Sequence, residues 1–242
     1  MFKRKYSLKE DVFDTLTSDS AYWIGYLYGD GNCTRENRIR LCCAEKDKEL
    51  IIGFRSFVGS IDKPIKHFLN NGKYPAVSFD VGSWKMKKTL SKYSLNKRKE
   101  QRGYLNIDLL QDEIAPHFIR GLFDADGCFY YDGLHKNHLF AEITGYMPIL
   151  HSIKSILVRH KVISEKKKIV KNGSVFRIRM AKGDCLRLIK FLYGDNPRYF
   201  LRRKYGIAKS YLDRLNEMTP KGEAIVENVS QTSIPMEQRK ES

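Results

Sequence analysis

No stretch of this chain comes near the roughly 20 consecutive apolar residues that a membrane-spanning helix needs, so no span is expected. The start, Met1-Phe2-Lys3-Arg4-Lys5-Tyr6, lacks the apolar core of a secretory signal, and a secreted protein is not expected. Cysteine is sparse and unpatterned. There are five, an odd count, with no CxxC and none at zinc-ligand spacing. A disulfide framework and a structural zinc site are therefore set aside, and reduced thiols in a cytosolic-type compartment are expected for Cys33, Cys42, Cys43, Cys128 and Cys185. Acid is also short: 28 Asp and Glu stand against 44 Lys and Arg, a net charge of +16. An excess of that size concentrates polyanions at the surface and releases counterions when phosphates are neutralised. Nucleic acid is the first partner to consider, although ribosomal proteins and proteins on anionic membranes share the signature.

Against that background one pattern occurs twice. Trp23-Ile24-Gly25-Tyr26-Leu27-Tyr28-Gly29-Asp30-Gly31 and Ile119-Arg120-Gly121-Leu122-Phe123-Asp124-Ala125-Asp126-Gly127 each place a small residue third, apolar residues around it, then small-Asp-Gly. The two acids are 96 residues apart (126 − 30), about the length of a compact half-domain. The surroundings repeat too. Ser18, Asp19 or Ser20 can cap a helix running to Gly29. Arg38–Cys42 alternates as a strand, Asp47–Val58 has helical spacing, Val77, Phe79 and Val81 alternate again, and Trp84–Tyr93 reads as a helix. In the second half Pro116 suits the first turn of a helix. That helix is followed by a strand at Leu139–Thr144, a helix at Ile149–Val158, a strand at Val175–Met180 and a helix at Leu186–Tyr193. An offset of 96 to 100 residues superposes the two series. The expected divisions are a basic arm at 1–17 with some helical character, a first half at 18–93, a basic linker at 94–115, a second half at 116–218, and a polar tail at 219–242 expected to be disordered.

Glycine inside a helix costs up to about 1 kcal/mol relative to alanine. Gly25 and Gly29, like Gly121 and Ala125, therefore suggest a narrow strip on which two helix backbones approach closely, with Gly25 and Gly121 as packing residues. Helices packed that way would bring Asp30 and Asp126 out side by side. Two adjacent carboxylates repel unless a cation shares them, and Mg²⁺ favours one or two carboxylates with water and phosphate oxygens. Repeat, packed helices, metal and phosphodiester hydrolysis thus form one chain of expectation. Asp124 has Tyr28 as its counterpart and is expected to support a turn or meet solvent. Arg38, Arg40, Arg177 and Arg179 alternate with apolar residues, so each strand would show a basic face of the kind that reads guanine in the major groove. Arg35, Lys66, Lys73 and His138 are further candidates for DNA contact. Lys166, Lys167, Lys168 and Lys171 suit phosphate steering. Asp80 and Glu142 interrupt the positive pattern, either as contacts to cytosine or without a role.

At these residues the chain resembles the LAGLIDADG homing endonucleases in their single-chain, two-motif form. The match is close at Trp23–Gly31, closer at Ile119–Gly127, and weaker over about residues 18 to 210; Phe200–Tyr205 also resembles a segment near the end of that family's second half. The resemblance implies an α+β fold. Two pseudo-symmetric αββαββα halves would pack through the motif helices, each with an antiparallel sheet, the two forming a saddle on double-stranded DNA. It implies Mg²⁺, or another divalent cation such as Mn²⁺, held by Asp30 and Asp126 with Gly29 and Ala125 beside them. It also implies a monomer that cuts both strands at a long, partly degenerate site, usually to spread an intron or intein. Peripheral catalytic candidates follow by position: Glu45 and Lys46 after the first long strand, answered in the second half by Gly145 and Tyr146, and Lys99 and Lys204 after the last helix of each half. The implied setting is cytoplasmic or nucleoid-associated, with an organellar or phage origin open.

Two readings compete. The same fold could serve as a non-cleaving regulator or an RNA maturase, but retention of both acids favours a nuclease. An intein would want Cys or Ser at residue 1 and a terminal His-Asn pair, and the chain has Met1 and Lys240-Glu241-Ser242 instead.

Overall fold

Helix α1 (Ser18–Asp30) is capped one residue before the first of the expected caps. Thr17 takes the capping position, its hydroxyl accepting from the Ser20 amide at 3.2 Å while the Ser20 hydroxyl accepts from the Thr17 amide at 2.7 Å. There follow β1 (Gly31–Cys33), β2 (Arg38–Ala44), α2 (Lys48–Phe57), β3 (Lys66–Asn70), β4 (Tyr74–Gly82) and α3 (Trp84–Ser91). A linker with two short 3-10 turns, Lys99–Gln101 and Ile107–Leu109, leads to the second series. That series is α4 (Ala115–Asp126), β5 (Gly127–Tyr131), β6 (Leu139–Gly145), α5 (Met147–Arg159), β7 (Val170–Asn172), β8 (Val175–Ala181) and α6 (Lys182–Tyr193), closed by α7 (Arg202–Met218). This computed structural model describes residues 4–34, 36–131, 133, 138–194 and 196–218. Arg35 and the 219–242 tail lie outside the described residues.

The strands form two four-stranded antiparallel sheets, β1-β2-β4-β3 and β5-β6-β8-β7. Each strand of one half thus has a partner in the other, and α7 is an addition to the second half. The apolar side of each strand packs on helices: Ile39, Leu41, Val77 and Phe79 in the first sheet, Ala141, Ile143, Ile178 and Met180 in the second, all nearly or wholly buried. Each fully buried Leu, Ile or Phe contributes about 2 kcal/mol. These residues belong to one continuous core through both halves. The hairpin between β3 and β4 turns at Asn71 and Gly72, both at positive φ, which suits the twist of the strands it joins.

The arm at 4–17 forms turns rather than a helix and is docked on the first half. The Lys9 amide donates to the Val58 carbonyl at 2.9 Å, the Ser7 hydroxyl to Asp62 at 2.7 Å, and Phe13 is buried edge-on against Phe57. No helix among the described residues is long and apolar enough to cross a membrane.

Pairing register corrects one sequence correspondence. Leu41 faces Gly31 and Ile143 faces Gly127. The offset between halves therefore grows from 96 at the motif helices to 102 at the second strands (143 − 41). The cause is a longer β5–β6 hairpin. Gly145 is thus the counterpart of Cys43, and Glu45 lies two residues further along.

Candidate active site

The two motif helices meet backbone to backbone. A Cβ placed on Gly25 would lie 2.0 Å from the Phe118 carbonyl oxygen, and one on Gly121 would lie 1.9 Å from that of Tyr22. Gly29 faces Ala125 at the end of the contact, where an added Cβ would fall 2.2 Å from the alanine methyl and 3.2 Å from Asp126 Oδ2. Asp30 and Asp126 consequently end their helices next to each other. Both occupy helix C-termini, where the partial negative charge of the helix disfavours a carboxylate, and neither helix has a basic residue in its last turn.

The compensating cations come from elsewhere in the chain. Lys99 Nζ lies 3.2 Å from both oxygens of Asp126 and 3.8 Å from Asp30 Oδ1. Among the described residues it is the one basic side chain paired with these acids. Arg102, almost buried, donates to the Tyr28 carbonyl and stacks 4.8 Å over the Tyr28 ring. Lys204, 3% exposed, donates to the carbonyls of Phe123 (2.6 Å), Asp124 (2.8 Å) and Gly127 (2.6 Å). These two residues therefore cap the ends of α1 and α4 respectively. Burial pushes the Lys204 ammonium down to about 8, against the pull of Asp124. Asp30 is pushed up to about 6, first by the protein packed around its carboxyl and then by the charge of Asp126, while Lys99 and Lys204 pull the other way.

Asp124 is not in contact with solvent; its sequence counterpart gave no hint of the partners waiting for it. It is 2% exposed, accepts from the Tyr22 hydroxyl of the opposite helix at 2.9 Å and from the Leu201 amide at 2.8 Å. Its burial lifts it to about 6 despite Lys204, that amide, Tyr22 and Arg120. Arg120, also buried, donates to the carbonyls of Leu192 (2.8 Å) and Tyr199 (2.9 Å), and Tyr199 packs on Trp23 with ring centres 5.0 Å apart. Arg120 and Asp124, motif positions at which the second copy departs from Ile24 and Tyr28 of the first, thus help lock the halves together.

The remaining candidates separate into three groups. Glu45 is turned toward His67 (3.1 Å) and Lys48 (3.7 Å), Lys46 is exposed on the same turn, and neither is paired with Asp30 or Asp126 among the described residues. Gly145 and Tyr146 do line a small cavity together with Lys99, Arg102, Asp126 and Thr144. Thr144, which the sequence did not single out, donates to the Asp126 carbonyl at 3.0 Å. On the outer sheet faces, buried Asp80 holds Arg38 (2.6 Å), Lys63 (3.3 Å) and Lys66 (3.6 Å). Burial would raise Asp80, but those three cations outweigh it and keep it below its usual value. Glu142 holds Arg177 at 3.2 Å and accepts from the Tyr130 hydroxyl at 3.4 Å. These acids anchor arginines, a role that sequence alone did not assign. Arg179 lies 4.3 Å over Phe140 and 5.6 Å over Tyr130, fixed by two rings. Arg40 is exposed with no ion pair among the described residues; Lys73, Lys166, Lys168 and Lys171 are exposed, and His138 is half-buried. Lys167 pairs with Asp184.

Two carboxylates and a flanking phosphate suit Mg²⁺, which needs few protein ligands; no cluster of three or more His, Cys, Asp or Glu at metal spacing occurs among the described residues. The repulsion by Asp126, which adds to the effect of burial on Asp30, is what a cation would relieve, so these residues fit such an ion.

No family model and no curated protein sequence matches this chain. Solved structures do. The chain is similar to the I-LtrWI LAGLIDADG homing endonuclease bound to target DNA, with a TM-score of 0.54 and 13% identity over 86% of this chain and 95% of that one. It is similar to the LAGLIDADG meganuclease I-CpaMI bound to uncleaved DNA, with a TM-score of 0.56 and 15% identity over 84% and 93%. The I-SmaMI LAGLIDADG homing endonuclease bound to cleaved DNA gives 0.54 and 14% over 86% and 93%. With its two four-stranded antiparallel sheets the chain has the two-domain LAGLIDADG fold.

Proposed function

We propose that this protein is a site-specific endonuclease of the homing type that hydrolyses both strands of a long, partly degenerate duplex target with a divalent metal. The observation that carries the reading is the pair of carboxylates at the ends of two helices packed backbone to backbone, with Lys99 against both. Asp30 and Asp126 would hold the ion, with Gly29 and Ala125 beside them. Bound there, Mg²⁺ or Mn²⁺ supplies Lewis-acid polarisation of the phosphoryl oxygen and eases ionisation of water. Lys99 offsets charge on the transferring phosphoryl group. Arg102 and Lys204 keep the helix ends, and so the acids, in place.

Arg40 and the ring-held Arg179 are the arginines best placed to read base edges, and Arg38, Lys66 and Arg177, already paired with acids, are better suited to fixing register on the backbone. The net charge of +16 accounts for affinity that falls steeply with salt. A flat salt dependence would sink the electrostatic part of the proposal. In this reading the protein works as a monomer, since both halves lie in one chain.

The deciding experiment is cleavage of a randomised duplex pool with Mg²⁺, sequencing of the new ends, and parallel reactions with Asp30→Asn and Asp126→Asn. Metal-dependent cuts at one recurrent long motif, absent in both variants while binding persists, are expected. A variant that still cuts at the wild-type rate removes its acid from the metal site. A folded protein that retains DNA or RNA without cutting would point to the regulator or maturase reading.

A further inference from the structure

We propose that the docked N-terminal arm and the first half together form a binding site for a phosphate group, filled by one backbone phosphate on the flank of the duplex target. The proposal rests on the DNA-binding part of the reading above and not on cleavage. A pocket of about 150 Å³ lies where the arm crosses the end of β4, walled by Arg4, Lys5, Tyr6, Ser60, Lys63 and Gly82 among others. At the roughly 30 Å³ that a liquid water occupies, it has room for about five heavy atoms. That is the size of one phosphate group, and a base or nucleoside does not fit.

Three cations line the pocket and, among the described residues, no carboxylate does. Each cation keeps donors to spare. Arg4 uses one nitrogen on the Gly82 carbonyl at 2.9 Å and another on Glu10 at 2.6 Å, out of the five N–H groups of a guanidinium. Lys63, 17% exposed, bonds the Asp80 carbonyl at 2.5 Å and the Asp80 carboxylate at 3.3 Å, which leaves one of its three donors. Lys5 is exposed over the Tyr6 ring at 5.3 Å, with no ion pair among the described residues. The nearby acids are already matched: Glu10 also accepts from the Ser83 hydroxyl at 2.5 Å, Asp62 from the amide and hydroxyl of Ser7, and Asp80 holds three cations. A second observation points to a ligand. Ser60 is 1% exposed, and its hydroxyl has no hydrogen-bond partner among the described residues. Buried donors are rarely left so, and a phosphate oxygen in the pocket supplies the acceptor.

The register of the sheet places the pocket. Gly31, next to Asp30, pairs with Leu41, whereas Gly82 pairs with Arg38, toward the opposite end of β2. The pocket therefore lies toward the end of the sheet remote from the acid pair. Lys63 joins it to the outer face, because the Asp80 that it holds also holds Arg38 and Lys66. A phosphate bound there is away from the bonds that are cut, so the site acts on affinity and register. Inorganic phosphate offers the same chemistry, and the test separates the two sources.

The test uses the full chain and a duplex carrying the motif that the protein retains from the randomised pool in chelator, so that no step depends on cutting. Binding is followed by fluorescence anisotropy over a range of KCl concentrations. The double variant Arg4→Ala, Lys5→Ala should lower the slope of log affinity against log salt by about 1, the value for one phosphate contact. Ser60→Ala should keep the slope and weaken binding about tenfold. Duplexes with a single uncharged methylphosphonate, placed at each position in turn, should reveal one flank phosphate whose neutralisation weakens the wild type and leaves the double variant unaffected. An unchanged slope in the double variant, or wild-type affinity in Ser60→Ala, would overturn the proposal. A lower melting temperature with that unchanged slope would show that Arg4 and Lys5 do no more than dock the arm. If inorganic phosphate raises the melting temperature of the wild type alone, and no methylphosphonate position distinguishes the two proteins, the pocket takes a free anion and its place on the duplex is overturned. Failure to cut the retained duplex once Mg²⁺ is restored would overturn the nuclease reading and leave this site standing. Failure to retain any duplex would overturn both.

Discussion

In the first half a buried acid, Asp80, gathers three cations; in the second half Glu142 holds one arginine and a tyrosine hydroxyl. The strand pairs that carry them are related by the internal repeat, and their signs are reversed. Arg40 faces Asp80 across β2 and β4, and Glu142 faces Arg179 across β6 and β8. On the inner faces of the same strands, Leu41 opposite Phe79 answers Ile143 opposite Ile178. The apolar side of the repeat has been held by packing against helices, which tolerates only residues of similar volume. The outer side carries no such constraint and has diverged to opposite charge. A duplex laid on two such faces would meet unlike surfaces, so the preferred target would not be a palindrome.

The seam should be the place where the halves are least free to differ, and the largest expected effect lies there. Gly121→Ala puts a methyl carbon 1.9 Å from the Tyr22 carbonyl oxygen. Helix backbones must separate to admit it, at a cost of about 3 kcal/mol or more. Thermal melting by circular dichroism measures this, and a loss below about 1 kcal/mol would mean that the helices do not approach as closely as described. Gly103→Ala in the linker, with nothing within 4 Å of the added carbon, is the matching control, expected within about 0.5 kcal/mol.

Asp124 has no acidic counterpart in the first half and gives a pH signature belonging to the second half alone. Its carboxyl, raised to about 6 by burial, holds a proton more tightly folded than unfolded. The stability this contributes is fully present below about pH 4 and is lost as pH rises through about 6. Asp124→Asn lacks that loss. Relative to wild type the variant should therefore gain about 2 kcal/mol between pH 4 and pH 7 in denaturant melts. Asp30 titrates in the same window in both proteins and cancels in the difference. A constant difference across that range would mean that Asp124 is ionised throughout.

The anchoring acids test the sign reversal directly. Asp80→Asn leaves Lys63, only 17% exposed, without its carboxylate partner, and should cost about 2 kcal/mol after allowance for the exposed Arg38 and Lys66. Glu142→Gln keeps an acceptor for Tyr130 and Arg177 and should cost about 1 kcal/mol or less. Equal losses in urea titrations would show that the two nodes are energetically alike in spite of their different partners.

How much of this could be read in the sequence depended on whether a residue's environment repeats along the chain. The motif helices, the main strands and the close approach of Gly25 and Gly121 left periodic or duplicated marks. β3 and β7 did not, because every residue in them is exposed and no face demands alternation. The fate of Arg38 and Arg177 depended on acids 42 and 35 residues away in sequence, which only register brings near. Lys99 was placed by resemblance rather than by spacing. Arg102 counted merely as charge in a basic linker until the structure set it on the Tyr28 carbonyl.

Helix α7 was missed for a related reason, and it supports the smallest prediction. Its wholly buried stripe is Lys204, Ala208 and Tyr211, correctly spaced for a helix but containing a lysine and an alanine where large apolar residues would announce it. Gly206 weakens the pattern further. It is exposed, and an added Cβ there meets nothing within 4 Å. Gly206→Ala should therefore stabilise the protein by about 0.5–1 kcal/mol, through helix propensity and a less flexible unfolded chain. Thermal melts should show a small upward shift. Because the same helix carries Lys204 against the end of α4, the shift should vanish in a Lys204→Met background if releasing that cap unseats α7. If the gain persists there, α7 is held by its other contacts, Ala208 and Tyr211 in the core and Arg203 on Asp47 among them, and the second half would keep its helix without the lysine.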